Sequence, residues 1–457
     1  MRIFLQSLVL LIANLAYAGN TALDRYVAKP DPAYAFDHYR TVESFGYTTY
    51  FVSMTSQEWR SSDEVDRTLW EHDVVIAVPW SARFNRVRTA VLLIDGGSNG
   101  GSPPTEPEYL LGLAARIVGA PIVWLRQIPN QPLYFADENN RRRTEDEILA
   151  YTLDKFLVTG DEEWPAYLAM TKAAVRGMDT VQSVLGDQNL PIDDFVVLGG
   201  SKRGWATWLT AAADPRVRAI IPASIDMLNL REHVDHHWEA YGFYTDAIQD
   251  FTEFDIFCRS TGPAGEALLD IVDPLSYRER FTMPKLILNS AGDQFFLPDS
   301  SRFYYHDLPG PKRLSYSFNT DHTQVRFSVL FGAVTWVRAL LQDRPHSPYS
   351  WIILSNGAIV ARTFSPPSRV GLWHATNPDA RDFRLESLGP EWQFRPLKPV
   401  FENFYIGYMP PPSEGWSAFS VELRFGPDDL GLHEVYTTDV SILPDTLPFA
   451  GSHCAER

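Results

Sequence analysis

The segment VVLGGSKRGW, Val196 to Trp205, runs β-branched and aliphatic residues straight into two glycines, a serine and two cations. An apolar run without polar alternation describes a strand buried on both faces. The residues after it, RGWATWLTAAAD, repeat apolar side chains at three- and four-residue intervals, the period of a helix. Ser201 therefore stands on a sharp strand-to-helix turn that projects its side chain above a sheet edge. That is the geometry of a nucleophile elbow, usually Gly-X-Ser-X-Gly. Gly199 fills the first glycine position and Gly200 adds backbone freedom, but Arg203 occupies the second, with glycine arriving one residue later as Gly204. Such a turn still brings the helix close to the sheet if the arginine points to solvent. A glycine-serine turn that merely caps a helix shares this local pattern, so the rest of the chain decides between them.

Working outward, TAVLLIDGGSN (Thr89–Asn99), APIVWLRQIP (Ala120–Pro129), VRAIIPASID (Val217–Asp226) and PKLILNSAGD (Pro284–Asp293) are further continuous apolar runs. EYLLGLAARIVG, PAYLAMTKAAVRGMDTVQSVLG and RFSVLFGAVTWVRALLQ carry helical periodicity around them. Alternating strands and helices predict an α/β domain with a doubly wound, mostly parallel sheet, whose ligands sit at the carboxyl ends of the strands. Upstream, YTTYFVSMTS and DVVIAVP, between Tyr47 and Pro79, read as half-buried edge strands. Residues 227–282 interrupt the alternation with an aromatic, charged insertion, the signature of a lid. From residue 346 the chain is proline-rich with strand-like runs, and Asn356-Gly357 is a hairpin signal; this region reads as a small β sandwich.

A serine hydroxyl needs a base to take its proton, and the base needs a carboxylate to orient it. The elbow thus forecasts an acid and then a histidine at later strand ends, in the order Ser, Asp, His. LILNSAGDQFF places Asp293 after one strand and RLSYSFNTDHTQ places His322 after the next. Asp226, at the preceding strand end, is the alternative acid, and Asp321 is expected to point away from the histidine. Oxyanion donors are expected from the backbone N–H of Lys202 and from the glycine loop DGGSNGG, Asp95–Gly101, at Gly97. That loop matches a phosphate-binding fingerprint only in part.

His233, His236 and His237, with Asp235, lie in the lid, but their spacing is not that of a zinc helix and no cysteine or glutamate pair completes a set. No metal or organic cofactor is expected, and the lid helix is read as solvated or facing substrate. Trp205 and Trp208 are read as helix packing. The expected partner is an ester or peptide substrate. The formal charge of −17 disfavours nucleic acid and anionic membranes.

The start, MRIFLQSLVLLIANLAYAGN, gives one arginine, an apolar stretch too short to span a bilayer, and Ala16-Tyr17-Ala18. This reads as a leader over residues 1–18 removed near Ala18, implying a secreted or periplasmic protein without a membrane span. Cys258 and Cys454 are the chain's two cysteines, and their pairing stays open at this level.

LDRYVAKPDPAYAF near the start, GGSKRGW, AGDQFF, NTDH and LWHATNPDARDFR (Leu372–Arg384) together resemble the PhoPQ-activated pathogenicity-related protein family. The resemblance runs from about Leu23 into the C-terminal region. It implies an exported α/β hydrolase-like domain over residues 19–345, an immunoglobulin-like β region over 346–457, and Ser201, Asp293 and His322 at the triad positions. The family also resembles secreted peptidases and esterases of that fold, and a secreted growth-repressing signal protein has been placed in it. It therefore implies a fold more firmly than a substrate.

Overall fold

The computed structural model describes residues 21–323, 327–449, 451 and 454, so the leader read over residues 1–18 lies outside the described residues. The apolar runs form strands. β1 (Ala35–Ser44), β2 (Tyr47–Glu58), β3 (Leu69–Pro79), β4 (Thr89–Ile94) and β5 (Ile122–Leu125) come first. A two-residue ribbon follows, β6 (Leu133–Tyr134) with β7 (Arg142–Arg143). Then come β8 (Asp194–Gly200), β9 (Val217–Ala223), β10 (Lys285–Ser290) and β11 (Lys312–Ser317). Apart from the ribbon these strands make one nine-stranded sheet, ordered β1-β2-β3-β5-β4-β8-β9-β10-β11.

From β5 to β11 neighbouring strands run parallel, while β1, β2 and β3, and the junction of β3 with β5, are antiparallel. The sheet is therefore mixed, and doubly wound only over its parallel part. The expectation that the runs between Tyr47 and Pro79 are half-buried edge strands is corrected. β2 and β3 are interior and mostly buried, because β1, with the polar sequence AFDHYRTVES, pairs outside β2 and takes the exposed edge.

The helices Ala166–Asp187 and Lys202–Ala213 pack on each other and on the sheet, as do Tyr109–Val118 and Phe327–Leu341. The chain leaves β4 toward β5 on one side and later places β8 on the other, so a crevice opens between the carboxyl ends of β4 and β8. Both the glycine loop and the Ser201 turn border it.

Residues 227–282 fold into the helices Leu230–Tyr241, Gln249–Glu253, Ile256–Arg259 and Pro263–Val272 and a 3₁₀ turn, Pro274–Arg280. A disulfide joins Cys258 in this insertion to Cys454, with Cα atoms 5.1 Å apart. Beyond β11 two antiparallel sheets form. Tyr349–Ile353, Ile359–Thr363 and Phe404–Gly407 make a three-stranded sheet. Gln393–Pro396, Arg369–Asn377, Trp416–Phe425, Glu434–Thr437 and Ser441–Leu443 make a five-stranded one. Asn356 and Gly357, the latter at φ 82°, lie in the turn joining the first two of these strands. A Cβ on Gly407 would lie 2.6 Å from Val421 and 2.7 Å from Leu372, so the two sheets approach closely there. No helix among the described residues is long and apolar enough to cross a membrane.

Candidate active site

Ser201 follows directly on β8 with φ 56° and ψ −129°, and the helix Lys202–Ala213 begins at the next residue. A non-glycine residue at such a φ costs on the order of 1–3 kcal/mol and persists only where its surroundings hold it. Here the Ser201 N–H donates to the Ala223 carbonyl of β9 at 2.8 Å, and its own carbonyl accepts from the Trp205 N–H at 3.0 Å. A Cβ on Gly199 would lie 2.5 Å from the Arg203 carbonyl oxygen, and one on Gly204 would lie 2.8 Å from Ile225 and 2.9 Å from the Ala223 oxygen. Gly204 thus supplies the close helix approach that the second glycine of the usual motif supplies.

Arg203 does not point to solvent. Its side chain is 11% exposed, and its guanidinium grips Glu145 with two contacts of 2.7 Å. Its Nε donates to the Ile128 carbonyl at 2.5 Å. A side chain on Gly96 would collide with this guanidinium at 2.7 Å, which gives one glycine of the DGGSNGG loop a definite steric reason. Lys202 turns the same way, with Nζ 2.9 Å from Glu145 and 3.2 Å from Asp146. Burial alone would raise the Glu145 carboxyl, but Arg203 and Lys202 outweigh it and hold the group at about 2.

The three residues forecast at separate strand ends meet. His322 Nε2 lies 2.8 Å from Ser201 Oγ, and His322 Nδ1 lies 2.8 Å from Asp293 Oδ2. With the proton on Nδ1, the imidazole donates to Asp293 while Nε2 accepts from the serine hydroxyl. Asp293 and His322 are buried, and the other Asp293 oxygen accepts from the Phe295 N–H at 2.7 Å. The Phe295 ring lies 4.2 Å from the imidazole, centroid to centroid. The His322 backbone N–H donates to Gln294 Oε1 at 3.2 Å. These contacts leave the ring little rotational freedom.

Asp226 does not occupy the acid position. It is buried beside Asp293, where the Tyr304 hydroxyl donates to it at 2.6 Å and the Tyr316 hydroxyl donates to its other oxygen. Desolvation raises its carboxyl to about 8, against the tyrosine hydrogen bonds and with the charge of Asp293 adding to the rise. Asp321 faces the turn, where its Oδ1 accepts from the Thr323 N–H at 2.9 Å.

The Lys202 N–H opens the helix beside the serine. Gly97, at φ 134°, follows β4, which pairs with β8 through Ile94 and Gly199, so the glycine loop runs alongside the elbow.

The lid histidines diverge. The Nε2 atom of His233 meets the Leu228 carbonyl at 3.0 Å, that of His236 meets Asp299 at 3.0 Å, and that of His237 accepts from the Thr245 N–H at 3.3 Å. All three are buried, so the lid helix is not solvated along this face. Among the described residues no group of three or more His, Cys, Asp and Glu side chains is placed to hold a metal ion. Trp208 is wholly buried packing, whereas Trp205 both packs against Tyr167 at 4.1 Å and lines the cleft at Ser201.

The PhoPQ-activated pathogenicity-related protein family model matches residues 23–384, which includes the elbow, Asp293 and His322. The chain belongs to that family. Autocrine proliferation repressor protein A of Dictyostelium discoideum is 33% identical over 477 residues, covering 98% of this chain and 95% of that protein. Among solved structures, acetyl xylan esterase 1 from Thermoanaerobacterium sp. aligns with 15% identity and a TM-score of 0.47, over 70% of this chain and 92% of that one. Acetyl xylan esterase from Paenibacillus sp. R4 aligns with 14% identity and a TM-score of 0.47, over 71% and 92%.

Within this family member, sequence reasoning missed the Glu145 and Asp146 side chains under the elbow and the tyrosine pair around Asp226. The first had a signal. Two cations beside the elbow serine demand acidic partners, although nothing in one dimension says which of many acids supplies them.

Proposed function

We propose that this chain is an exported serine hydrolase that cleaves an ester or peptide bond through an acyl-enzyme. The observation that carries the reading is the hydrogen-bonded line Ser201–His322–Asp293, at 2.8 Å for each contact, on a turn that holds Ser201 in a rarely populated conformation. His322 takes the hydroxyl proton as Ser201 Oγ attacks the substrate carbonyl, and Asp293 stabilises the resulting imidazolium. The N–H groups of Lys202 and Gly97 receive the oxyanion. His322 then passes its proton to the departing alcohol or amine. Water, deprotonated by the same imidazole, attacks the acyl-enzyme and releases a carboxylic acid, restoring the serine hydroxyl.

Residues 19–345 form the hydrolase unit in this reading, with 346–457 as an immunoglobulin-like sandwich. Export is supported by the basic-then-apolar start ending in Ala16-Tyr17-Ala18, and by a disulfide of the kind that persists in oxidising compartments. An N-terminus at Gly19 on the mature protein, read by Edman degradation, is the expected result.

The test of the chemistry is a fluorophosphonate probe followed by peptide mapping. Ser201 should carry the adduct, His322→Ala should abolish it, and Asp293→Ala should lower turnover by about 10³- to 10⁴-fold. A folded protein that remains unlabelled overturns the reading. It would favour a second one, a secreted signal protein on the same scaffold, which the name of the Dictyostelium relative supports.

A further inference from the structure

The cleft that contains Ser201 encloses about 740 Å³ of empty space, part of it open to solvent. Its apolar walls include Trp205 on the elbow helix, Ile225 beyond β9, Val234, Phe251 and Phe257 on the insertion, and Phe296 on the turn after Asp293. Aliphatic and aromatic side chains dominate this lining, whereas a site for sugar hydroxyls or a charged side chain needs convergent polar groups.

The charged and imidazole groups that reach the cleft meet protein partners. Asp146 lies 3.2 Å from Lys202, whose Nζ also holds Glu145 at 2.9 Å. His233 and His237 line the cleft but spend a ring nitrogen on the Leu228 carbonyl and the Thr245 N–H. Burial holds both imidazoles uncharged, at about 3. The overall charge of −17 therefore does not extend into the cleft as an unpaired carboxylate that could select a cation.

We infer that the substrate of Ser201 presents an uncharged apolar group larger than a methyl, an alkyl chain or an aromatic ring, to this cleft, and that Val234 and Phe257 of the insertion set its size. The inference rests on the proposed hydrolase reading. Burial of each further methylene raises kcat/KM by about fourfold, the equivalent of about 0.8 kcal/mol, until the cleft is filled.

Two ester series test it with the full-length mature protein. One is p-nitrophenyl acetate, butyrate, hexanoate and octanoate; the other holds the acyl group at acetyl and lengthens the alcohol. A steep rise in kcat/KM along either series supports the inference. Val234→Phe should move the optimum to a shorter chain and Phe257→Ala to a longer one. A flat profile in both series, or a preference for acetyl, cationic or anionic esters, overturns it. A binding measurement separates its failure from that of the hydrolase reading. Calorimetry on Ser201→Ala should show hexanamide binding at least about tenfold tighter than acetamide, whether or not the wild type turns over any ester. Equal affinities for the two amides overturn the inference even if Ser201 labels.

Discussion

Ser201 stands on a turn built by its own neighbours, whereas Asp293 and His322 stand on turns held by a distant part of the chain. On the serine side, Gly199 and Gly204 leave room for Arg203 and Ile225, and the next parallel strand supplies the Ala223 carbonyl. On the other side, the carbonyl of Gly292, next to Asp293, accepts from the Leu385 N–H at 2.9 Å. A Cβ on Gly292 would meet the Thr320 oxygen at 2.6 Å and that N–H at 3.0 Å. Asn319, at φ 57°, exchanges two 2.8 Å hydrogen bonds with the backbone of Trp392, and Phe318 lies between Trp373 and Trp392 at 5.0 and 4.9 Å. Ser201 is thus placed by local sterics, and His322 and Asp293 by tertiary buttressing. This difference teaches that residues 373–392 are part of the site's support although none of them touches Ser201 Oγ.

The comparison is broken most severely at the elbow. Gly199→Val puts a branched side chain where even a Cβ lies 2.5 Å from a backbone oxygen, and should cost at least about 3 kcal/mol in urea unfolding. Gly200→Ala, one residue on, meets no atom within 4 Å and should stay within about 0.5 kcal/mol. If the two variants unfold alike, local packing does not set the turn.

On the buttressed side the expected effect is smaller in stability and visible in chemistry. Asn319→Ala removes both bonds to Trp392, costs about 1–3 kcal/mol, and slows fluorophosphonate labelling of Ser201 by up to about a hundredfold as His322 loses its placement. Unchanged labelling would show that the C-terminal region merely packs there.

Asp226→Asn should have the least effect on labelling, less than about twofold, since Asp226 meets two tyrosines and not His322. Its consequence lies in pH. A carboxyl raised from 3.8 to about 8 favours the folded chain fully below about pH 4, and that contribution is lost as pH climbs toward 8. Asp226→Asn should therefore flatten the decline in unfolding free energy between those limits, read from urea titrations at several pH values.

Much of this arrangement is legible in one dimension because its causes are local. The continuous apolar runs yield the parallel strands, and the elbow is written within ten residues of Ser201. Less legible is the N-terminal edge. β1 has no apolar alternation to announce it and exists by pairing with β2. Nor does a single sequence show that Arg203 turns inward, since its partner Glu145 lies on a separate connection whose path depends on the fold.

The sequence by itself determined the alternation of strand and helix, the serine at a constricted turn, and the order of Asp293 and His322 after it, because burial periodicity and glycine sterics act over a few residues. Tertiary structure alone decided between Asp226 and Asp293. Both carboxylates follow neighbouring parallel strands and look equivalent along the chain. Tyr304 and Tyr316 enclose one of them, while the turn braced by Leu385 aims the other at His322. The same holds for Cys258 and Cys454, whose proximity is a property of where distant segments come to rest.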